Sequence, residues 1–418
     1  MNNVDTLNMS NLEKVIETTY NEEKISNSSI KDIYEKISSA DKYISEKFLT
    51  GKNNNNFNMI IQRINVISEL PIPDYFEGSF LPNEIKDYIL QNSFSYINFS
   101  GKIRGRDLNI YFIIFENLSN DLIREITFYV KQIFMWIYII DEMATKNCSR
   151  QMNVYVYLTN FEKCLPISQM ETIDSINVNT AFTSGCKKST EIVIYRKEEW
   201  FKVFIHETFH NFGMEFSEMN NNSINNSLRE IFNLNINYKF YEAYTETWAR
   251  IINSAFYSYN LISKINNKSF NNFKTSFLNN LNKEALLSLY NLVKILYFFD
   301  IEFKRIVDKN EENITICNYL YKENTAVFSY FIISAIFMNN YGSFISWCEK
   351  SNNQFFIFKK THVNINNFLK FLKKCLNNKQ MLKNINKIEQ FFKKNKIQNT
   401  NKLQMSLLNN ADLLLIHT

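Results

Sequence analysis

The chain has 418 residues, 45% of them apolar and 21% charged, with 37 Phe and 23 Tyr. This is enough apolar chain for a large core, which excludes a disulfide-stapled mini-protein and argues against global disorder. The net charge of +5 sits in the tail: from Lys359 onward twelve lysines face only Glu389 and Asp412, so the rest of the chain is acidic on balance.

Residues 1–57 show mild helical alternation (LEKVIETTYNEEK, IKDIYEKI) and end in GKNNNNFN, which predicts a helical or flexible N-terminal appendage. Residues 58–166 predict an α+β domain. LNIYFIIFE (108–116) and NVYVYLT (153–159) have strand character, and the long apolar stretch 121–144 is helical. All four prolines lie at or before Pro166, and beyond Gly213 the only glycine is Gly342, so the remainder is predicted to be mostly helix.

EIVIYR (191–196) is a third predicted strand, followed by a helix over 197–212 that Gly213 stops. The Asn-rich stretch 220–227 predicts a loop and 228–259 a long helix, with further apolar helices to Tyr341. Domain boundaries are expected at 167–345, carrying that helix pair, and at 346–418, a basic helical tail. In the tail Leu382, Ile385, Ile388 and Phe392 share one helical face.

The longest apolar stretches, Ile126–Ile140 and Ala326–Met338, fall short of the ~20 residues that cross a bilayer and predict buried helices, with no membrane span. The six cysteines show no C-x-x-C spacing and the N-terminus has no secretory pattern, so an intracellular, reducing setting is expected. The basic tail leaves nucleic acid or an acidic partner open, beside the plainer reading of a solvated helical face.

The helix KEEWFKVFIHETFHNF carries apolar residues around most of its circumference, so His206, Glu207 and His210 become polar groups in a core. His206 and His210 stand one turn apart, the spacing at which two imidazoles reach one zinc ion while Glu207 holds a water: the H-E-x-x-H pattern. A third ligand is needed. The extended H-E-x-x-H-x-x-G-x-x-H form is followed as far as Gly213, but Phe216 stands where its last His belongs. Glu215 and Glu218 lie close to that turn. Glu242 and Glu246, spaced i, i+4 in the next long helix, can offer one carboxylate to the metal and one to a ligand imidazole.

HETFHNFG followed by YEAYTETWA resembles the glutamate-type zinc metallopeptidases, and the E-x-x-x-E step resembles the second helix of lethal-factor-type peptidases. The surrounding string EIVIYRKEEWFKVFIHETFHNFG is also similar to predicted metallopeptidase-like proteins of large cytoplasmic DNA viruses. The resemblance covers about residues 190–250 and implies a zincin-like fold, with a small sheet beside the zinc helix and a large helical C-terminal part. It implies His206, His210 and Glu242 as zinc ligands, Glu246 supporting them, Glu207 as general base, and a peptide or protein substrate. It also implies a host-cytoplasmic or virion location.

In such enzymes the strand before the metal helix is an edge that pairs with substrate, a role open to EIVIYR beside that of an interior strand. Tyr238, four residues before Glu242, is a candidate oxyanion donor or a core tyrosine. Cys186 is a buried thiol or a thiolate blocking the metal. The alternative reading is a non-enzymatic virion structural or scaffolding protein that keeps the fold, and a third is a toxin-like effector acting on host proteins.

Overall fold

The computed structural model describes residues 25–49, 57–265, 267–395, 401–409 and 413. The expectations for residues 1–24 and for the Asn run after Gly51 fall outside them. Six strands, β1 (Phe57–Arg63), β2 (Ser95–Ile103), β3 (Arg106–Ile114), β4 (Gln151–Tyr157), β5 (Ala181–Thr183) and β6 (Ser189–Ile194), form one mixed sheet. Its order is β1-β2-β3-β4-β6-β5. β1 to β3 pair antiparallel, β3, β4 and β6 run parallel, and β5 pairs antiparallel with β6.

Alternation along the strands builds two cores. Ile110, Phe112, Val154, Val156, Ile192 and Ile194 face the helices. Tyr155, Tyr157, Val193 and Tyr195 face the other way, onto Phe76, Leu81, Ile85 and Ile89. The helices are α1 (Asn27–Leu49), α2 (Asn83–Asn92), α3 (Asn120–Asp141), α4 (Trp200–Asn211), α5 (Asn221–Ile231), α6 (Phe240–Lys264) and α7 (Phe270–Phe298). After these come α8 (Glu311–Leu320), α9 (Tyr341–Ser351), α10 (His362–Leu376) and α11 (Lys379–Asn395), with shorter turns between. The fold is thus α+β, with a mostly helical part after the sheet.

α3 crosses over between the parallel strands β3 and β4, and Ser119 caps it by accepting the Leu122 N–H at 3.1 Å. α1 buries Ile30, Ile33, Ile37, Ala40 and Ile44. Its Asp41 accepts the Tyr259 hydroxyl of α6 at 2.9 Å and pairs with Lys131 of α3. In α11 Ile385, Ile388 and Phe392 are buried, whereas Leu382 is 38% exposed and Met381 takes the inward position. One apolar cluster extends from Ile25 to Met405 and draws on all four stretches set apart in the sequence. Among the described residues no helix is long and apolar enough to cross a membrane.

Several local expectations are corrected. The helix expected over 228–259 is two. Asn233 gives its side-chain amide to the carbonyls of Arg305 and Asp308, both at 2.7 Å, and its N–H to Ile306, so those groups are not spent on helix bonds. Lys239, at φ 44, then opens α6. The Asn-rich stretch forms α5 rather than a loop: Asn220 caps it, and Ile224, Leu228 and Ile231 face inward. Of the two roles left open for EIVIYR, the strand takes the interior one, since β6 pairs with β4 on one side and β5 on the other; the edge is the three-residue β5. Phe328–Ile333, inside the expected helix 326–338, is a π-helical turn.

Candidate metal centre

α4 is built to be rigid. At its N-terminus Glu199, at φ 54, is held by Lys163 at 2.9 Å and Lys202 at 3.4 Å. At its C-terminus the Gly213 N–H reaches the His210 carbonyl and the Met214 N–H reaches Phe209, a Schellman stop with Gly213 at φ 60. A Cβ at Gly213 would stand 3.4 Å from that of Cys186. Trp200, Phe201, Phe204, Ile205 and Phe209 lock the helix into the core, and Trp136 donates to the Thr208 hydroxyl at 2.8 Å.

His206 and His210 leave α4 on the side facing α6, where Glu242 and Glu246 project one turn apart. The Glu242 Oε2 atom lies 3.1 Å from His206 Nε2 and 3.3 Å from His210 Nε2, and the two Nε2 atoms are 3.3 Å apart. Four ligands around an ion at 2.0–2.1 Å stand about 3.3 Å from one another in a tetrahedron, so this triangle has the edge length zinc requires. The three residues form a group able to hold a metal ion.

Both outer imidazole nitrogens are also occupied. His206 Nδ1 lies 3.1 Å from Glu246 Oε2 and His210 Nδ1 lies 3.4 Å from Glu215 Oε1. With Nδ1–H donated to a carboxylate, each Nε2 lone pair points into the triangle, where two lone pairs and a carboxylate oxygen meet with no proton between them. A cation at the centre resolves that repulsion, so the donor set fits zinc. Without one, protons do so. Burial disfavours charge on His206, but hydrogen bonds to Glu242 and Glu246 outweigh it and raise its pKa. For His210 burial is outweighed by the Glu242 charge and a hydrogen bond to Glu215, which raise it well above the usual value. Glu242 is held well below the carboxylate range by His210 and His206 despite its burial.

Glu207 is 8% exposed, and among the described residues no hydrogen bond or ion pair reaches its carboxylate. Burial raises its pKa, opposed by the charges of His206 and His210. It lines a pocket of about 40 Å³ with His206, Tyr330, Thr180, Ala181 and Met405. The start of β5, at Thr180 and Ala181, therefore lies beside the site.

Tyr238 is not on the Glu242 face. It precedes α6, its hydroxyl donates to the Leu234 carbonyl at 2.7 Å, and its ring packs on Phe232 and Phe328, so it is a core tyrosine. The rings beside the histidines belong to Tyr330, whose centroid is 5.7 Å from that of His206, and Tyr241, 6.1 Å from His210. Tyr330 sits in the π-helical turn, where no sequence periodicity indicates which way it faces.

Cys186 is bonded to Cys148, so it offers the metal no thiolate, and the expectation of unpaired thiols is corrected at both positions. Phe216 joins an aromatic cluster 4.3 Å from Phe358, and Glu218 pairs with Lys360 at the surface. Glu215 escaped the sequence reading as a histidine partner, although its place just past the helix stop is where a returning chain can meet His210. No family model, curated protein or solved structure matches the chain.

Proposed function

We infer that the protein is a zinc-dependent peptidase of the glutamate type with a zincin-like centre. The observation that carries this reading is the convergence of His206, His210 and Glu242 at 3.1–3.3 Å beside the unpaired Glu207 carboxylate. Zinc, when bound, supplies Lewis acidity and makes water acidic enough to ionise near neutral pH.

The chain's own groups supply the rest. Glu207 takes a proton from the attacking water as oxygen adds to the peptide carbonyl carbon, then delivers it to the departing amide nitrogen as the C–N bond breaks. Tyr330, whose hydroxyl is kept protonated by burial and by the charges of Glu242 and Glu207, lines the same pocket as Glu207 and is a candidate donor to the carbonyl oxygen. The outer edge of β5, which pairs with no strand among the described residues, can pair with an extended substrate main chain.

The test is zinc loading followed by cleavage of a broad peptide library. One zinc per chain is expected, with hydrolysis lost in Glu207→Gln while zinc and fold remain. A chain that takes up no zinc, or a Glu207→Gln variant that cleaves as fast as the parent, overturns the reading. The narrowness of the pocket and its Met405 wall favour a second reading, a scaffolding protein in which the ion only ties α4 to α6. Zinc binding without cleavage of any peptide would select it.

A further inference from the structure

Residues 401–409 return from the C-terminal side of the chain past the N-terminal end of α4, where Met405 borders the candidate site, and buried polar groups hold their main chain. The Asn401 carbonyl accepts the Leu165 N–H at 2.6 Å, and the Leu403 N–H donates to the Lys163 carbonyl at 2.8 Å. Lys294 donates to the Lys402 carbonyl, Asn291 to Gln404 at 2.7 Å and Asn253 to Leu408 at 3.2 Å. One oxygen of Glu199 accepts the N–H groups of Met405 and Ser406, and one oxygen of Glu284 accepts that of Leu407 at 2.7 Å. Leu403 and Met405 point inward while Lys402 and Gln404 are half-buried, the alternation of an extended peptide in a groove.

A tail that only completed the core would need its apolar side chains buried. Here, besides the buried Leu403 and Met405, two buried carboxylates are spent on the segment: Glu199 and Glu284 accept the backbone N–H groups of Met405, Ser406 and Leu407, and Glu284 also accepts the Ser406 hydroxyl at 3.1 Å. The second Glu284 oxygen has no hydrogen-bond partner among the described residues. The groove is also continuous with the candidate site. Lys163 and Lys202, which hold Glu199, line the same pocket as His206 and Glu207, and Met405 forms one wall of it.

We propose that this groove is a binding site for an extended polypeptide, filled in the isolated chain by its own residues 401–409, which act as an internal plug beside His206 and Glu207. A peptide from another chain takes the groove when the plug leaves. The proposal deepens the peptidase reading by naming the segment that competes with substrate, and binding alone tests it.

A site-specific protease sequence is inserted between Asn395 and Asn401, so that the full chain folds before it is cut. A fluorescent peptide of residues 401–409 is then added in excess to the cut and uncut proteins and followed by anisotropy, with circular dichroism reporting the fold. Saturable binding to the cut protein is expected, with release of its own C-terminal fragment seen by mass spectrometry. Binding to the uncut protein should be at least about tenfold weaker, since only its plug-free fraction competes.

In the cut protein Glu284→Leu and Asn291→Leu should weaken the peptide. A fragment that stays bound against excess peptide, equal binding to uncut protein, or unfolding on cutting would make the segment a permanent part of the fold and overturn the proposal. Peptide exchange without any hydrolysis leaves the groove standing and removes the peptidase reading; hydrolysis without exchange does the reverse.

Discussion

The Lys202 ammonium lies 2.9 and 3.1 Å from the two oxygens of Glu246, with both side chains about 2% exposed. Lys202 stands one turn before His206, and Arg250, one turn after Glu246, adds a third buried group to the same carboxylate at 2.9 Å. α4 thus presents Lys202, His206 and His210 at i, i+4, i+8 against Glu242, Glu246 and Arg250 on α6, and the metal triangle is one end of this ladder.

Glu246 is therefore more than a support for an imidazole. Removing it leaves the buried Arg250 without a carboxylate and Lys202 with Glu199 alone at 3.4 Å, which costs about 3–5 kcal/mol. Glu246→Ala should lower unfolding stability by that amount in denaturant titration, in addition to weakening zinc by the ~10–100-fold typical of losing a histidine's outer partner. Adding Lys202→Met should recover part of the stability and none of the zinc affinity. Unchanged stability in Glu246→Ala would mean that the ladder carries no energy.

Zinc must displace protons from both histidines, whose pKa values are raised in the metal-free protein. Below those pKa values the rings are protonated and cannot ligate, so apparent zinc affinity falls as pH falls. The decline should begin above pH ~6.5, the value for a free imidazole. Competition with a chromophoric chelator from pH 8 to 6 measures it. Glu242→Ala should remove most affinity at every pH, whereas retention of tight binding there would assign the third ligand elsewhere.

With Cys148 and Cys186 joined, Cys164, Cys317, Cys348 and Cys375 remain as thiols. Alkylation of denatured, unreduced protein should label four cysteines and reduction should reveal the other two. The closed loop has a sequence separation of 38, which in the chain-entropy account contributes about 4 kcal/mol. Cys186→Ser should lose stability on that scale. Six reactive thiols before reduction would refute the pairing.

What the sequence revealed was local. The period-2 strands at 108–116, 153–159 and 191–196, the helices over 121–144 and 197–212, and the H-E-x-x-H spacing each depend on residues within one or two turns. What it hid depends on distant partners. Asn233 ends α5 because the chain around Arg305 lies beside it, β6 becomes interior because β5 folds back on it, and Cys186 meets Cys148 across the sheet end. One signal could have been found: Lys202, four residues before His206 on a buried face, needs a carboxylate, and Glu246 is the counterpart spacing supplies.

Glu284 offers a pH test of the plug. It is fully buried in α7, and burial pushes its pKa up to about 7, with the charge of Arg250 and the hydrogen bonds of Leu407 and Ser406 pulling the other way. In the unfolded chain its pKa is about 4.3. Between these values the folded state keeps a proton that the unfolded state has released, so stability falls as pH rises from about 4.3 to 7 and is level beyond. The difference of between two and three pKa units amounts to roughly 3 kcal/mol. Glu284→Gln copies the neutral acid: its oxygen still accepts the Leu407 N–H, and it has nothing to ionise. Urea unfolding of both proteins should give similar stability near pH 4, with the variant gaining over the parent by about 3 kcal/mol at pH 8. Amide exchange at Met405 to Leu407 should slow in the same variant at pH 8, because the neutral acceptor removes the buried charge that strains the plug's seat. Parallel stability curves across that range would show that Glu284 ionises in the folded protein as readily as in water.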